Sequence, residues 1–249
     1  MPDSRGLLSA PASRGRTYER KGRRSRRALS REARSPLRLF FTGGVEYDDG
    51  LDPRSLETFF RDFRAFLDRF EVPAEWGQEV ELKFRRLGRH RAEGLYYPEQ
   101  AVLVLDVASS RSFAHEFGHL LDYGGAAWGP ARPGAAFSSG DAFRPFADLM
   151  VARMRAHRAC DSRFAERGGR VSWGYFTSRT ECFARAFEQC VAEVLPDPCA
   201  IAKERERYRA DPLFFDAVPA DLEPYFREVL RRQRTRSLTV ATSASRTTP

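Results

Sequence analysis

Ser112-Phe-Ala-His-Glu-Phe-Gly-His-Leu-Leu-Asp-Tyr123 is the stretch from which the rest of the chain is read. It contains His115-Glu116-Phe117-Gly118-His119, an H-E-x-x-H. Residues four apart share a helix face, so both imidazoles can point at one metal ion. Glu116 projects about 100° around the helix from His115, which sets a carboxylate beside the metal without making it a ligand. Two nitrogen ligands and an adjacent base are what zinc-assisted hydrolysis requires. The chain has only 4 His, and two of them stand here. Phe113, Phe117, Leu120 and Leu121 form an apolar stripe beside the ligand face, and Ser109 and Ser110 offer N-caps just ahead of it. The competing reading is a buried helix whose two His are satisfied by hydrogen bonds in the core.

Upstream of this helix the pattern is mixed. Leu37-Arg-Leu-Phe-Phe-Thr42 reads as a strand ended by Gly43-Gly44. Asp52 and Pro53 open a helix through Phe70, with Leu56, Phe59, Phe60, Phe63, Phe66, Leu67 and Phe70 on one broad face. Pro73 and Gly77 break the chain. Glu79-Val-Glu-Leu-Lys-Phe84 alternates polar and apolar, as a half-buried strand does. Gly94-Leu-Tyr-Tyr97 and Ala101-Val-Leu-Val-Leu-Asp106 read as a hairpin turned at Pro98-Glu99-Gln100. The second arm leads almost directly into the H-E-x-x-H helix and is expected to border the cleft.

Downstream the pattern is helical. A Gly/Ala/Pro-rich loop from Gly124 to Gly140 has the length of a functional rim or lid. A helix is expected over about 141–159, and a second loop over 161–178 carries the aromatic cluster Trp173-Gly-Tyr-Phe176. Thr180-Glu-Cys-Phe-Ala-Arg-Ala-Phe-Glu-Gln189 is strongly helical, with Phe183, Ala184, Phe187 and Val191 inward, and Pro196 and Pro198 stop it. Two short helices near 200–209 and 220–233 close the body.

The net charge of +8 sits at the ends. Residues 1–36 carry ten Arg and one Lys against three acids, and residues 231–249 carry five Arg and no acid, which leaves the body net negative. Both 1–36 and 234–249 have compositions expected to be disordered, around a folded domain at 37–233. The basic run Arg20-Lys-Gly-Arg-Arg-Ser-Arg-Arg27 suits contact with a polyanion. No apolar run reaches membrane-span length, and no apolar segment of the secretory-signal type follows the basic start. The expected setting is therefore cytoplasmic, or delivery into a target cell without a standard signal. Cys160, Cys182, Cys190 and Cys199 are expected as reduced thiols, with a Cys190–Cys199 bridge as the alternative.

A catalytic zinc takes a third protein ligand besides the two His. His90, between two strands, and His157, on the following helix, qualify by residue type. Glu181 is the better candidate. It starts an amphipathic helix and is followed by small and aromatic residues that let it pack closely on the first helix, and His₂Glu is a known catalytic set. Glu188 is a further substitute.

His115-Glu-Phe-Gly-His-Leu-Leu-Asp-Tyr123 followed by Tyr175-Phe-Thr-Ser-Arg-Thr-Glu-Cys-Phe-Ala-Arg-Ala-Phe-Glu188 resembles the zincin metallopeptidases with a downstream glutamate ligand. The likeness is to the catalytic domain of anthrax lethal factor-type toxins and to zincin-like modules of large phage polyvalent proteins. It spans the two motifs and the order of strands from Leu37 to about Pro196. It implies an α+β fold: a small mixed sheet packed over the H-E-x-x-H helix, with a mostly helical C-terminal half. It also implies Zn²⁺ on His115, His119 and Glu181, with Glu116 as catalytic base. A family tyrosine just upstream of the second helix assists catalysis, and Tyr175 is its nearest match, one residue closer in spacing. The family's acid one turn after the ligand is replaced here by Arg185, so support for the histidines is expected from Asp122 or Glu188.

The expected activity is zinc-dependent hydrolysis of peptide bonds in protein substrates, in the manner of an effector or toxin. Two other classes compete: an inactive zinc-binding interaction module, and a nucleic-acid-binding protein acting through its basic ends.

Overall fold

The computed structural model describes residues 25–87, 92–127, 136–164 and 172–231. Its elements run α1 (Arg26–Ala33), β1 (Gly44–Glu46), α2 (Pro53–Phe70), β2 (Glu81–Arg85), β3 (Gly94–Tyr97), β4 (Val102–Asp106), α3 (Phe113–Ala127), α4 (Arg144–His157), α5 (Trp173–Phe176), α6 (Arg179–Val194) and α7 (Arg205–Ala210), and residues 222–231 are helical. The fold is mixed α+β, as expected.

The four strands lie in the order β1-β2-β4-β3. β2 pairs in parallel with β1 and β4, while β3 runs antiparallel to β4. The hairpin of the sequence reading is therefore present, and its first arm, not its second, is the edge. β4 is paired on both sides, so the edge that an extended peptide could add to is β3. β2 is also more enclosed than its alternation implied: Leu82, Lys83 and Phe84 are all buried, and Lys83 is neutralised by Glu81 at 2.5 Å. A central strand with parallel neighbours is covered on both faces, and alternation understates that.

The strand expected at Leu37–Thr42 is not formed. Ser35 accepts a hydrogen bond from the Leu37 amide and Pro36 presets the turn, so Pro36–Leu39 winds into a 3-10 turn. Phe40 and Phe41 then both face the core, and pairing begins only at Gly44, where a strand end had been expected.

The expected disordered N-terminal segment is structured from Ser25 onward. Ser25 caps α1 through its Oγ and donates that hydroxyl to Asp49 at 2.6 Å. Buried Glu32 accepts the Tyr47 amide at 2.7 Å. The folded unit thus starts before the expected boundary at Leu37. Residues 1–24 and 234–249 lie outside the described residues.

The core is aromatic. Phe59, Phe63 and Phe66 of α2 meet Phe113 and Phe117 of α3, and Phe66 reaches Phe187 of α6 at 6.1 Å. Edge-to-face pairs of this kind add about 0.5–1.5 kcal/mol beyond the area they bury. They fix α3 between the sheet and α6. All four cysteines are free, and Cys182, Cys190 and Cys199 are buried, so the Cys190–Cys199 bridge does not form.

Candidate metal centre

α3 begins where the chain leaves β4. Phe113 donates its amide to the Ser110 carbonyl at 2.9 Å, and Glu116 donates to that of Ser112 at 3.0 Å. Ser110 does not cap with its side chain as expected: its hydroxyl donates to Ala200 O at 2.8 Å. The Ala114 amide donates to Ile201 O at 2.9 Å, so the segment after Pro198 satisfies part of the first turn.

α6 crosses α3 closely. A Cβ on Gly118 would lie 2.9 Å from Ala184 Cα and 3.2 Å from Ala184 O. Only glycine admits that approach, and the small residue after the expected third ligand is the other half of the contact. This brings Glu181 over the two histidines. Its Oε1 lies 3.4 Å from His119 Nε2 and its Oε2 lies 3.7 Å from His115 Nε2. One donor atom from each of the three residues falls within 4.8 Å of the others.

Neighbouring ligand atoms on a tetrahedral zinc lie about 3.4 Å apart, given bonds near 2.1 Å. The donor set, the spacing and the burial of Glu181 therefore fit a divalent cation with one small adjustment of the imidazoles. No protein-family model, curated protein or solved structure matches the chain. The site thus rests on its own geometry.

The competing ligands are separated from it. His157 is exposed on α4, with its Nδ1 against the Arg153 carbonyl. His90 lies outside the described residues. Glu188 is not in the cluster but behind it: its Oε2 is 3.1 Å from His115 Nδ1. A carboxylate only accepts, so Nδ1 carries the hydrogen and Nε2 faces Glu181. Asp122 does not play the corresponding part for His119. It accepts the Ser138 amide at 2.7 Å and so holds the turn Phe137–Ser139 against α3. His119 Nδ1 and Asp122 Oδ2 are buried without a hydrogen-bond partner among the described residues.

Arg185, where the resembled family has an acid, is buried and binds Glu181 Oε2 at 2.9 Å and Phe176 O at 2.7 Å. Burial opposes ionisation of Glu181, but His119, His115 and Arg185 outweigh it and hold its carboxyl at about 2. Glu116 behaves oppositely. Burial pushes its carboxyl up, helped by Glu181 and Glu188 and resisted by the two His. Its side chain takes no hydrogen bond from a described residue, and it stands against the edge strand: a Cβ on Gly94 would fall 2.7 Å from Glu116 Cγ. Sequence reading missed Gly94, because a glycine at the start of a strand carries no signal of what it faces.

Tyr175 is on α5, whose N-cap is Ser172. It is 41 % exposed, yet partial burial and the charge of the nearby Glu181 carboxylate raise its pKa well above the usual phenol value, so it remains neutral. Cys182 points into the core, as its helix position implied, and burial raises its thiol to about 11.

Asp122 gives a pH-dependent prediction. Burial, opposed by the Ser138 amide hydrogen bond, pushes its carboxyl up to about 6 from 3.8. A raised folded pKa means stability that is complete below the unfolded value and lost as pH rises through the folded one. In metal-free protein Asp122→Asn should match wild type near pH 4. By pH 7.5 it should be more stable by roughly 3 kcal/mol, the equivalent of a two-unit shift. Urea unfolding at both pH values checks this, and equal differences at the two would refute it.

Proposed function

We propose that the protein is a zinc-dependent metallopeptidase of the zincin type, acting on peptide bonds in protein substrates. The observation that carries the reading is the meeting of His115 Nε2, His119 Nε2 and the Glu181 carboxylate, with Glu116 beside them and without a hydrogen-bond partner among the described residues. The resemblance of the two motifs to the lethal factor-type catalytic domain points the same way. A charge argument supports the ion: among the described residues Glu181 and Glu188 are buried here against the guanidinium of Arg185, with the Glu116 carboxyl beside them, an excess that a divalent cation balances.

Zinc held by His115, His119 and Glu181 would supply Lewis acidity and an acidified water. Glu116 takes the proton from the attacking water and delivers it to the leaving amine, a role suited to a carboxyl whose pKa is raised by burial. The Tyr175 hydroxyl donates to the developing oxyanion. Glu188 keeps His115 Nε2 turned inward, and Arg185 holds the Glu181 carboxylate by its 2.9 Å hydrogen bond. β3, the edge strand of the described sheet, passes Glu116 at Gly94, so an extended peptide can pair there with its scissile bond at the base.

No described helix is long and apolar enough to cross a membrane. Arg27, Arg31 and Arg34 line a surface groove with Phe60, and this is the face we propose for contact with polyanions.

The test is metal analysis of protein purified without chelators, followed by a peptide-library cleavage assay. About one zinc per chain is expected, with cleavage lost on chelation and restored by added zinc. A chain that holds no zinc would overturn the metal reading. A zinc-loaded chain that cleaves nothing would leave a binding module in its place.

A further inference from the structure

Past Pro196 the chain has no recognisable motif, yet it closes the back of the metal centre. The Gln189 side chain of α6 pairs with both backbone groups of Phe215, at 2.8 Å each. Arg205 binds the Ala192 and Leu195 carbonyls at the end of α6. These contacts clamp α7 onto α6 and deliver Tyr208, 1 % exposed and packed on Phe214, to Glu188. The Tyr208 hydroxyl donates to Glu188 Oε1 at 2.9 Å and accepts the Lys203 amide at 2.7 Å.

We propose that Tyr208 is a positioning residue of the metal centre, acting through Glu188 on His115. The proposal rests on the metallopeptidase reading above. Glu188 is buried and has two donors: Tyr208 on one oxygen and His115 Nδ1–H on the other. Neither oxygen is free to turn, so the imidazole is held in one orientation with Nε2 toward Glu181. The Lys203 amide fixes the phenol in turn, because it occupies the acceptor side of the oxygen and leaves the hydroxyl hydrogen only Glu188 to meet. Arg185, on the same helix, cannot take over, since its guanidinium is committed to Glu181 and Phe176 O. Without the hydroxyl, Glu188 Oε1 and the Lys203 amide both lose their partner in a buried site, and the carboxylate becomes free to rotate off His115 or toward the ligand cluster. The C-terminal segment then contributes to metal affinity while supplying no ligand.

The experiment measures zinc affinity of the full chain by competition with a chromogenic chelator, alongside thermal melts of the metal-free forms. Tyr208→Phe removes one oxygen and keeps the packing on Phe214. It should weaken zinc binding by about 10-fold, and Glu188→Gln by about 10- to 100-fold, the range expected for the partners of ligating histidines. In the double variant Tyr208→Phe should add less than about twofold to the loss in Glu188→Gln, because the hydroxyl acts only through that carboxylate. An affinity unchanged in Tyr208→Phe, even with a lower melting temperature, reduces Tyr208 to core packing and overturns the proposal. Independent losses that multiply in the double variant overturn it too. A wild-type chain that binds no zinc sinks the metal reading itself, which separates the two failures.

Discussion

Glu116→Gln is expected to bind zinc as wild type does and to lose peptide cleavage by about 10²–10⁴-fold, the usual share of general acid–base catalysis. The substitution keeps size and shape in a site with little room, between Gly94 and the α3 backbone. It leaves His115, His119 and Glu181 untouched. Glu116 has no hydrogen-bond partner among the described residues, so the amide breaks no network that holds the fold. Only the capacity to take and return a proton is removed. A proteome-wide comparison of new N-termini produced by wild type and by Glu116→Gln reads the effect and reveals substrates at the same time. Equal sets of new termini would show that Glu116 is not the base.

Gly118→Val should separate the two halves of the centre. Its Cβ alone would meet the Ala184 backbone at 2.9 Å, and backbone cannot rotate away as a side chain can. Two further methyl groups make α3 and α6 move apart. The cost is expected to be at least about 1–3 kcal/mol, as for overpacking of a filled core, or roughly 3–10 °C in melting temperature for a domain of this size. The functional consequence is larger than the stability loss. Glu181 rides on α6 and both histidines on α3, so a shift of even about 1 Å spoils a donor set whose spacing must match zinc bonds near 2.1 Å. Zinc titration and thermal unfolding with and without zinc check this together. A variant that melts like wild type and still gains stability from zinc would refute the close-packing account.

The two variants separate what is local from what is not. The stripe Leu56, Phe59, Phe63, Phe66 and Phe70 was legible because helical periodicity repeats the same face every turn, and α2 buries that face. Free Cys182 and Cys190 were legible from their apolar helix neighbours. The strand expected at Leu37–Thr42 was not, because Ser35 and Pro36 start a turn through backbone bonds that hydrophobicity does not record. The choice between Asp122 and Glu188 as support for the histidines was undecidable in sequence. Both are acids at plausible spacing, and only Ser138 claims the first while His115 meets the second. Tyr208 gave no sign at all, since nothing near it in sequence names its partner.

The sequence by itself determined that His115 and His119 share one helix face with Glu116 alongside, because 3.6 residues per turn is a property of the backbone alone. Tertiary structure decided which residue completes the set. Glu181 reaches both imidazoles because Gly118 lets the Ala184 backbone come within contact, and that depends on how two distant surfaces fit rather than on either one's pattern.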